Sequence, residues 1–287
     1  MKRMVFSGHE SFICKQFWLK KGFDFIKTGN TFNEKTSVVK LGVGKNMVSS
    51  IRYWLKVFGI TEGKDEISEL GEYLFGENGV DPYLEDIASV WLLHHSIVKL
   101  GSASLYYIVF NELRVSRDEF TKEQLDILVK NKYSEALKNN YNSNTVERDI
   151  SVFLRNYLPP SIKKTQVEEA FSGLLNELHL LTHLRTEKKD WYRFESGNQD
   201  TLPFEIVLFS ILDNETYDNT ITFNDLYVGI NSPGRIFALS KDGLFDKLQA
   251  ISKKYQKTNY SETAGNRTFQ ITTKLNKWKI LNDYYKK

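Results

Sequence analysis

The chain has 287 residues, 41% of them hydrophobic and 26% charged, with 5 prolines, which excludes a wholly disordered, collagen-like or proline-rich protein and fits two domains or one elaborate one. Its 39 Lys/Arg against 36 Asp/Glu leave a net charge of +3, too small by itself to imply a polyanionic partner, and its single cysteine, Cys14, leaves no internal disulfide or multi-cysteine zinc site. No run approaches the roughly 20 apolar residues of a membrane span, and Ser7-Gly8-His9-Glu10 breaks the basic N-terminus before a signal-peptide apolar region can form, so a cytoplasmic protein without membrane contact is expected.

In chain order, residues 36–58 read as two helices separated by Leu41-Gly42-Val43-Gly44. Ile60 to Leu70 predicts a tight hairpin, followed by a helix around Glu69–Phe75 and a turn at Gly76-Glu77-Asn78-Gly79. The segment Tyr83–His95 has helical apolar spacing, and Leu105–Phe110 is a buried helix or strand, which periodicity does not separate. Thr121 with Gln124 marks a helix start, and Asn144-Thr145 precedes a helix ending near Tyr157, where Pro159-Pro160 stops it. That proline pair is taken as the boundary between a domain of residues 1–158 and one of 161–287. Beyond it the pattern predicts a helix at about 165–183, a hairpin through Trp191–Phe194, a helix after Leu202-Pro203 and a basic helical and hairpin region to the end. The fold class is mainly α with short β-hairpins, an α+β chain built from tandem winged helix-turn-helix-like units.

The charge is unevenly placed. Residues 1–60 carry 11 Lys/Arg against 3 Asp/Glu, residues 61–90 carry 1 against 9, and residues 241–287 carry 11 against 4. Two basic ends thus flank an acidic middle, which reads either as solvated helix faces or as phosphate-facing surfaces. The most specific local pattern is Ser37–Trp54. Gly42 suits the positive φ of a tight inter-helix turn, and Met47, Val48, Ile51, Trp54, Leu55 and Phe58 form one apolar stripe on the second helix. Its polar face carries Lys45, Ser49, Arg52 and Lys56, flanked by Asn46 and Tyr53, donors suited to a DNA groove. The hairpin that follows fits a wing, though Glu62, Asp65, Glu66 and Glu69 there would repel phosphate and suit a protein-docking role instead.

A second unit is expected at the C-terminal end. Thr222–Ile230 reads as a support helix, Ser232–Leu239 begins the next element, and Asn259–Thr273 forms a hairpin around Ala264-Gly265-Asn266-Arg267. Arg235, Lys253, Lys254, Lys257 and Arg267 are its candidate phosphate contacts. Phe120–Leu158, with Val146, Ile150, Phe153, Leu154 and Tyr157 as a buried stripe, is a third candidate unit.

No catalytic constellation emerges. Gly42-Val43-Gly44-Lys45 lacks the spacing of a phosphate loop, having Val39 and Asn46 where that motif needs Gly and Ser or Thr. His9-Glu10 lacks the second histidine of a zinc-protease motif, since position 13 is Ile13. His179 and His183, at i, i+4 on a predicted helix with Glu177 nearby, have no third ligand. His94 and His95 are expected to pack or cap. Asp81, Glu85 and Asp86 are explained by the helix dipole, and Cys14 has no assignable base. No catalytic residue, metal ligand or cofactor is therefore expected.

Four motifs, Phe6-Ser7-Gly8-His9-Glu10-Ser11-Phe12, Leu41–Val48 through Ile51-Arg52-Tyr53-Trp54, Asp81–Asp86 through Trp91-Leu92-Leu93-His94, and Ser232-Pro233-Gly234-Arg235-Ile236-Phe237, run almost end to end along the chain. On them the chain resembles an uncharacterised bacterial family often encoded in phage-defence islands, beside phosphoadenosine-phosphosulfate-reductase-like genes of DNA sulfur modification and related systems. The chain departs from the family in having Ile13-Cys14 where a proline-aromatic pair is usual. The resemblance implies a defence-associated context and no particular chemistry. The expectation is a non-enzymatic DNA-binding or DNA-sensing accessory protein, with double-stranded DNA and the protein subunits of a defence or DNA-modification complex as partners. An adaptor without DNA contact is the alternative. A metal-dependent nuclease using His9-Glu10 with a distant acidic cluster is the third reading.

Overall fold

The computed structural model describes residues 4–137, 141–160, 173–187 and 189–286. Among them the chain is mixed α and β, predominantly helical, with three small antiparallel sheets. The first part runs α1 (Trp18–Lys27), α2 (Ser37–Leu41), α3 (Lys45–Val57), the two-stranded hairpin β1 (Thr61–Glu62) and β2 (Glu66–Ile67), and α4 (Glu69–Phe75). The turn between α2 and α3 is made as its sequence predicts, with Gly42 at φ 63° in the left-handed region, where a Cβ is costly. Ser68 caps α4 by accepting from the Gly71 amide.

Next come α5 (Ile87–Leu100), α6 (Ser104–Ile108), a π-helical turn at Val109–Leu113 and α7 (Arg114–Ser116). The helix predicted from Tyr83 begins four residues later. Leu84 sits at φ 56°, and Asp86 is the N-cap, accepting from the Ala88 amide, because a capping carboxylate satisfies an otherwise orphaned amide. Asp81 accepts from the amides of Glu85 and Asp86 and from Ser89 Oγ, so this acidic cluster closes a loop and a helix end. The Leu105–Phe110 ambiguity resolves to helix. Helix α5 is buried on nearly every face and packs on α3, α6 and two later helices, which places it at the centre of the core.

The middle part runs β3 (Glu119–Phe120), α8 (Lys122–Leu137), α9 (Ser143–Tyr157), a 3₁₀ turn (Leu174–Leu178), β4 (Leu181–Arg185) and β5 (Asp190–Phe194). The predicted capping box is present, Thr121 and Gln124 exchanging backbone-to-side-chain bonds at 3.0 and 3.4 Å. Helix α9 starts slightly earlier than expected, with Asn142 as its N-cap. The helix expected at about 165–183 falls partly outside the described residues. The part that is described is a 3₁₀ turn and a strand, because Leu181–Arg185 pairs antiparallel with Asp190–Phe194.

The last part runs α10 (Phe204–Leu212), β6 (Thr220–Thr222), α11 (Phe223–Val228), α12 (Pro233–Ile236), α13 (Lys241–Lys254), β7 (Thr258–Thr263), β8 (Asn266–Ile271) and α14 (Lys277–Tyr285). The two three-stranded sheets share one topology. In each, a short strand leads into helices, a hairpin follows, and the hairpin's second strand inserts between its first strand and the early strand, giving the orders β3-β5-β4 and β6-β8-β7. The sheet β3-β5-β4 thus takes one strand from before Pro159-Pro160 and two from after. Helix α14 returns to the first part: Tyr73 donates to Asn282, Tyr285 bonds Ser89, and Tyr284 donates to Asp86.

Candidate nucleic-acid interface

Helix α3 stands on the Gly42 turn with Val48, Ile51, Trp54 and Leu55 buried beneath it. Its outer face leaves Lys45, Asn46, Ser49 and Lys56 exposed, an amide, a hydroxyl and two cations along about three helical turns. The first amides of the helix have no intrahelical acceptor, so the same end offers backbone donors. Four of the six expected contacts therefore stand open together.

Arg52 and Tyr53 do not. The Arg52 guanidinium meets the Asp65 carboxylate with two contacts, Nε to Oδ1 at 3.0 Å and Nη2 to Oδ2 at 2.8 Å, and donates from Nη1 to Asn33 at 3.0 Å. The acidic hairpin thus neutralises the arginine expected to face phosphate. Tyr53 turns away from the other donors. Its ring lies edge-on to His9 at 5.8 Å and to Trp54 at 5.2 Å, and a Cβ on Gly8 would fall 2.2 Å from it. Burial, with the charge of Asp149 adding to it, pushes its phenol pKa well above the ordinary value.

At the C-terminal unit, Lys253 and Lys257 are exposed and the hairpin turn lies where expected, with Ala264 and Gly265 at positive φ. The remaining three cations are engaged. Arg267 pairs with Glu262 at 3.1 Å across the hairpin and lies over the Phe223 ring. Arg235 donates to the Asn111 carbonyl. Lys254 reaches Glu205, a side chain only 3% exposed, at 2.7 Å. Removing the cation strands that buried carboxylate, so Lys254→Ala is expected to cost roughly 2–4 kcal/mol of stability in urea unfolding. Lys253→Ala should stay within about 0.5 kcal/mol of wild type. Equal, small losses would show Lys254 to be a surface lysine like its neighbour.

The residues weighed for catalysis are mostly structural. His9 is 3% exposed. Its Nδ1 accepts from the Ser11 amide at 3.1 Å, its Nε2 faces Asp149 Oδ1 at 3.1 Å, and its ring stacks on Trp54. With both nitrogens turned to protein, it fastens the sharp turn in which Ser7, Glu10 and Ser11 all have positive φ. Asp149 completes the turn by accepting the Ser7 amide. His183 lies on strand β4 and bonds Asp190 at 2.9 Å, while His179 has φ 49° after the 3₁₀ turn; the predicted shared helix is absent, and with it the i, i+4 pairing. Among the described residues no group of three or more His, Cys, Asp and Glu is arranged to hold a metal ion. Cys14 is fully buried, which pushes its thiol pKa up and leaves little reactive thiolate.

His94 and His95 are core residues. His94 Nε2 lies 2.7 Å from the Ile236 carbonyl and Nδ1 2.9 Å from Tyr157 Oη. A carbonyl only accepts, so the neutral ring carries its proton on Nε2 and takes the Tyr157 hydroxyl on Nδ1. Burial holds His94 down at about 3 and His95 at about 4, Asp213 opposing the shift of His95 from 4.0 Å away. An unfolded histidine binds a proton near 6.5. Both folded values lie below that, so their contribution is intact above pH 6.5 and is lost progressively as pH falls toward 4, at up to about 1.4 kcal/mol per histidine per pH unit. Urea midpoints should therefore drop between pH 6.5 and 5, above the carboxylate range; midpoints flat over that interval would contradict neutral burial.

Sequence reasoning missed the tie between the N-terminal turn and α9. Asp149 and Asn156 each hold a backbone amide 142 positions away, that of Ser7 or Cys14. The available signal was Asp149 and Asn156 interrupting the buried face of an otherwise apolar stripe.

Two strand-helix-hairpin units around a helical core, preceded by a helix pair and two-stranded hairpin that present an open polar helix, define the class of protein this is by architecture. The family can then be stated: residues 6–285 match the model of the family described as Protein of unknown function (DUF4007), and the chain belongs to it. Two solved structures are similar over 99% of this chain and 88% of their own. One is described as a magnesium ion-bound SspB crystal structure, at TM-score 0.88 and 25% identity. The other is described as an SspB crystal structure, at TM-score 0.87 and 25% identity. No curated protein sequence matches the chain.

Proposed function

We propose that this chain is a DNA-binding or DNA-sensing protein built from tandem winged-helix-like units, serving a bacterial phage-defence or DNA-modification system as an accessory subunit. The observation that carries the reading is the exposed face of α3, where Lys45, Asn46, Ser49 and Lys56 share one side of a helix mounted on a left-handed glycine turn. Helix-turn-helix proteins place such a helix in the major groove. The repeated strand-helix-hairpin topology supports winged-helix units at 119–194 and 220–271, and Lys253 and Lys257 give the second of these open cations. The defence context follows from the sequence resemblance. Fluorescence anisotropy with a labelled random duplex across a salt series tests it: each phosphate neutralised adds about −0.9 to the log–log slope. Micromolar binding that weakens steeply with salt is expected. No binding at low salt would leave the adaptor, docked through the acidic hairpin, as the better reading.

One observation favours a second reading, a metal-dependent nuclease: a structure alike over 99% of this chain is described as magnesium ion-bound. Incubating supercoiled plasmid with tag-free protein, with and without magnesium, decides it. Magnesium-dependent nicking abolished by chelation would make the chain an enzyme; intact plasmid would remove this reading.

A further inference from the structure

We propose that Arg114 and Arg235 together form a receptor for a phosphate group, at the junction of the π-helical turn and the Ser232-Pro233-Gly234 turn. Each arginine reaches across to the stretch of backbone that carries the other. Arg114 donates to the Gly234 carbonyl at 2.9 Å, to Ser196 Oγ at 3.2 Å and to the Leu239 carbonyl at 3.3 Å. Arg235 donates to the Asn111 carbonyl. The Nε of each is buried without a hydrogen-bond partner. All their acceptors are neutral, and among the described residues neither guanidinium has a carboxylate within 4.0 Å. Glu112, which lies near Arg235, is taken by Lys132 at 2.5 Å.

This arrangement is unusual for arginine, which enters low-dielectric surroundings paired with a carboxylate or phosphate. Burial pushes both pKa values down, the charge of Arg235 adding to the shift of Arg114, and Asp118 near Arg114 and Glu112 near Arg235 oppose the shifts only in part. The frame around them is stiff. Asn111 is fully buried and exchanges two hydrogen bonds with Asn231, at 2.9 and 2.7 Å, and the π turn at Val109–Leu113 carries the Asn111 carbonyl that Arg235 uses. Such π turns recur at functional sites. The Tyr107 and Tyr217 phenols lie within electrostatic reach of Arg235. A phosphate would supply the counter-charge and accept charge-assisted bonds from both forks. The phosphate is either that of a small phosphorylated molecule or one of a nucleic-acid backbone.

The test uses inorganic phosphate, titrated to 30 mM at constant ionic strength against chloride, with melting temperature as readout. Wild type, Arg235→Gln and Arg235→Lys are compared, each checked by circular dichroism for a native fold. Wild type should gain several degrees, Arg235→Lys less, and Arg235→Gln should need at least tenfold more phosphate for the same gain. A parallel arm measures duplex affinity. A loss of fivefold or more in Arg235→Gln assigns the site to a backbone phosphate, and unchanged duplex affinity assigns it to a small phosphorylated ligand. No phosphate-specific gain in wild type, or an equal gain in all three, overturns the proposal. The phosphate arm contains no DNA and the site stands apart from α3, so Lys45→Glu/Lys56→Glu should leave it unchanged whatever that face binds.

Discussion

Exchanging Lys45 and Lys56 for glutamate is expected to weaken binding to a random duplex by roughly 100-fold or more at low salt, and to flatten the salt slope by about two phosphate contacts. Both ammonium groups are exposed on the outer face of α3, so the exchange leaves the buried stripe and the fold intact while replacing two phosphate attractions, each worth about 1.4 kcal/mol for a tenfold effect, by repulsions. The same surface makes a prediction of opposite sign. Asp65→Asn removes the carboxylate that holds Arg52 at 2.8 and 3.0 Å, frees that guanidinium and should tighten duplex binding about three- to tenfold. Because Asp65 lies at φ 70°, asparagine is the appropriate substitute, being tolerant of the left-handed region. Weaker binding in Asp65→Asn would mean that the hairpin positions Arg52 productively and does not withhold it.

His94→Ala is expected to be the most damaging single substitution in the core, at about 3–5 kcal/mol by urea unfolding. It empties a fully buried site ringed by Trp91, Phe110 and Phe237 and leaves both the Tyr157 hydroxyl and the Ile236 carbonyl unsatisfied. Tyr157→Phe, which removes only the donor to His94 Nδ1, should cost about 1–2 kcal/mol. A cost for His94→Ala no larger than that of Tyr157→Phe would show that the neutral histidine does not join α5, α9 and the Ile236 turn.

What the sequence made legible were features carried by local chemistry. Helix α3 and its glycine turn, the capping box at Thr121, the hairpin at 264–265 and the exposure of Lys45, Asn46, Ser49 and Lys56 all follow from spacing within a dozen residues. Features fixed by distant partners were not legible. Whether Arg52 is open depends on Asp65, 13 residues on, and the engagement of Lys254 depends on Glu205, 49 residues away. Tyr53 read as a groove donor because its position on the helix is ambiguous between faces, and the turn that covers it comes from Gly8 and His9. The identity of 181–185 as a strand depends on pairing with β5, a partner that five residues read on their own do not reveal. The juxtaposition of Arg114 with Arg235, separated by 121 positions of chain, leaves no trace in spacing at all.

Hydrogen–deuterium exchange of the protein with and without saturating duplex tests the central claim most directly. The account predicts slowed exchange at the first amides of α3, residues 45–47, which have no intrahelical acceptor of their own, and at the 264–267 turn, with the acidic 61–67 hairpin unaffected. Protection confined to the hairpin, or no change at α3 under conditions where the duplex is bound, would contradict the assignment of α3 as the DNA-facing helix.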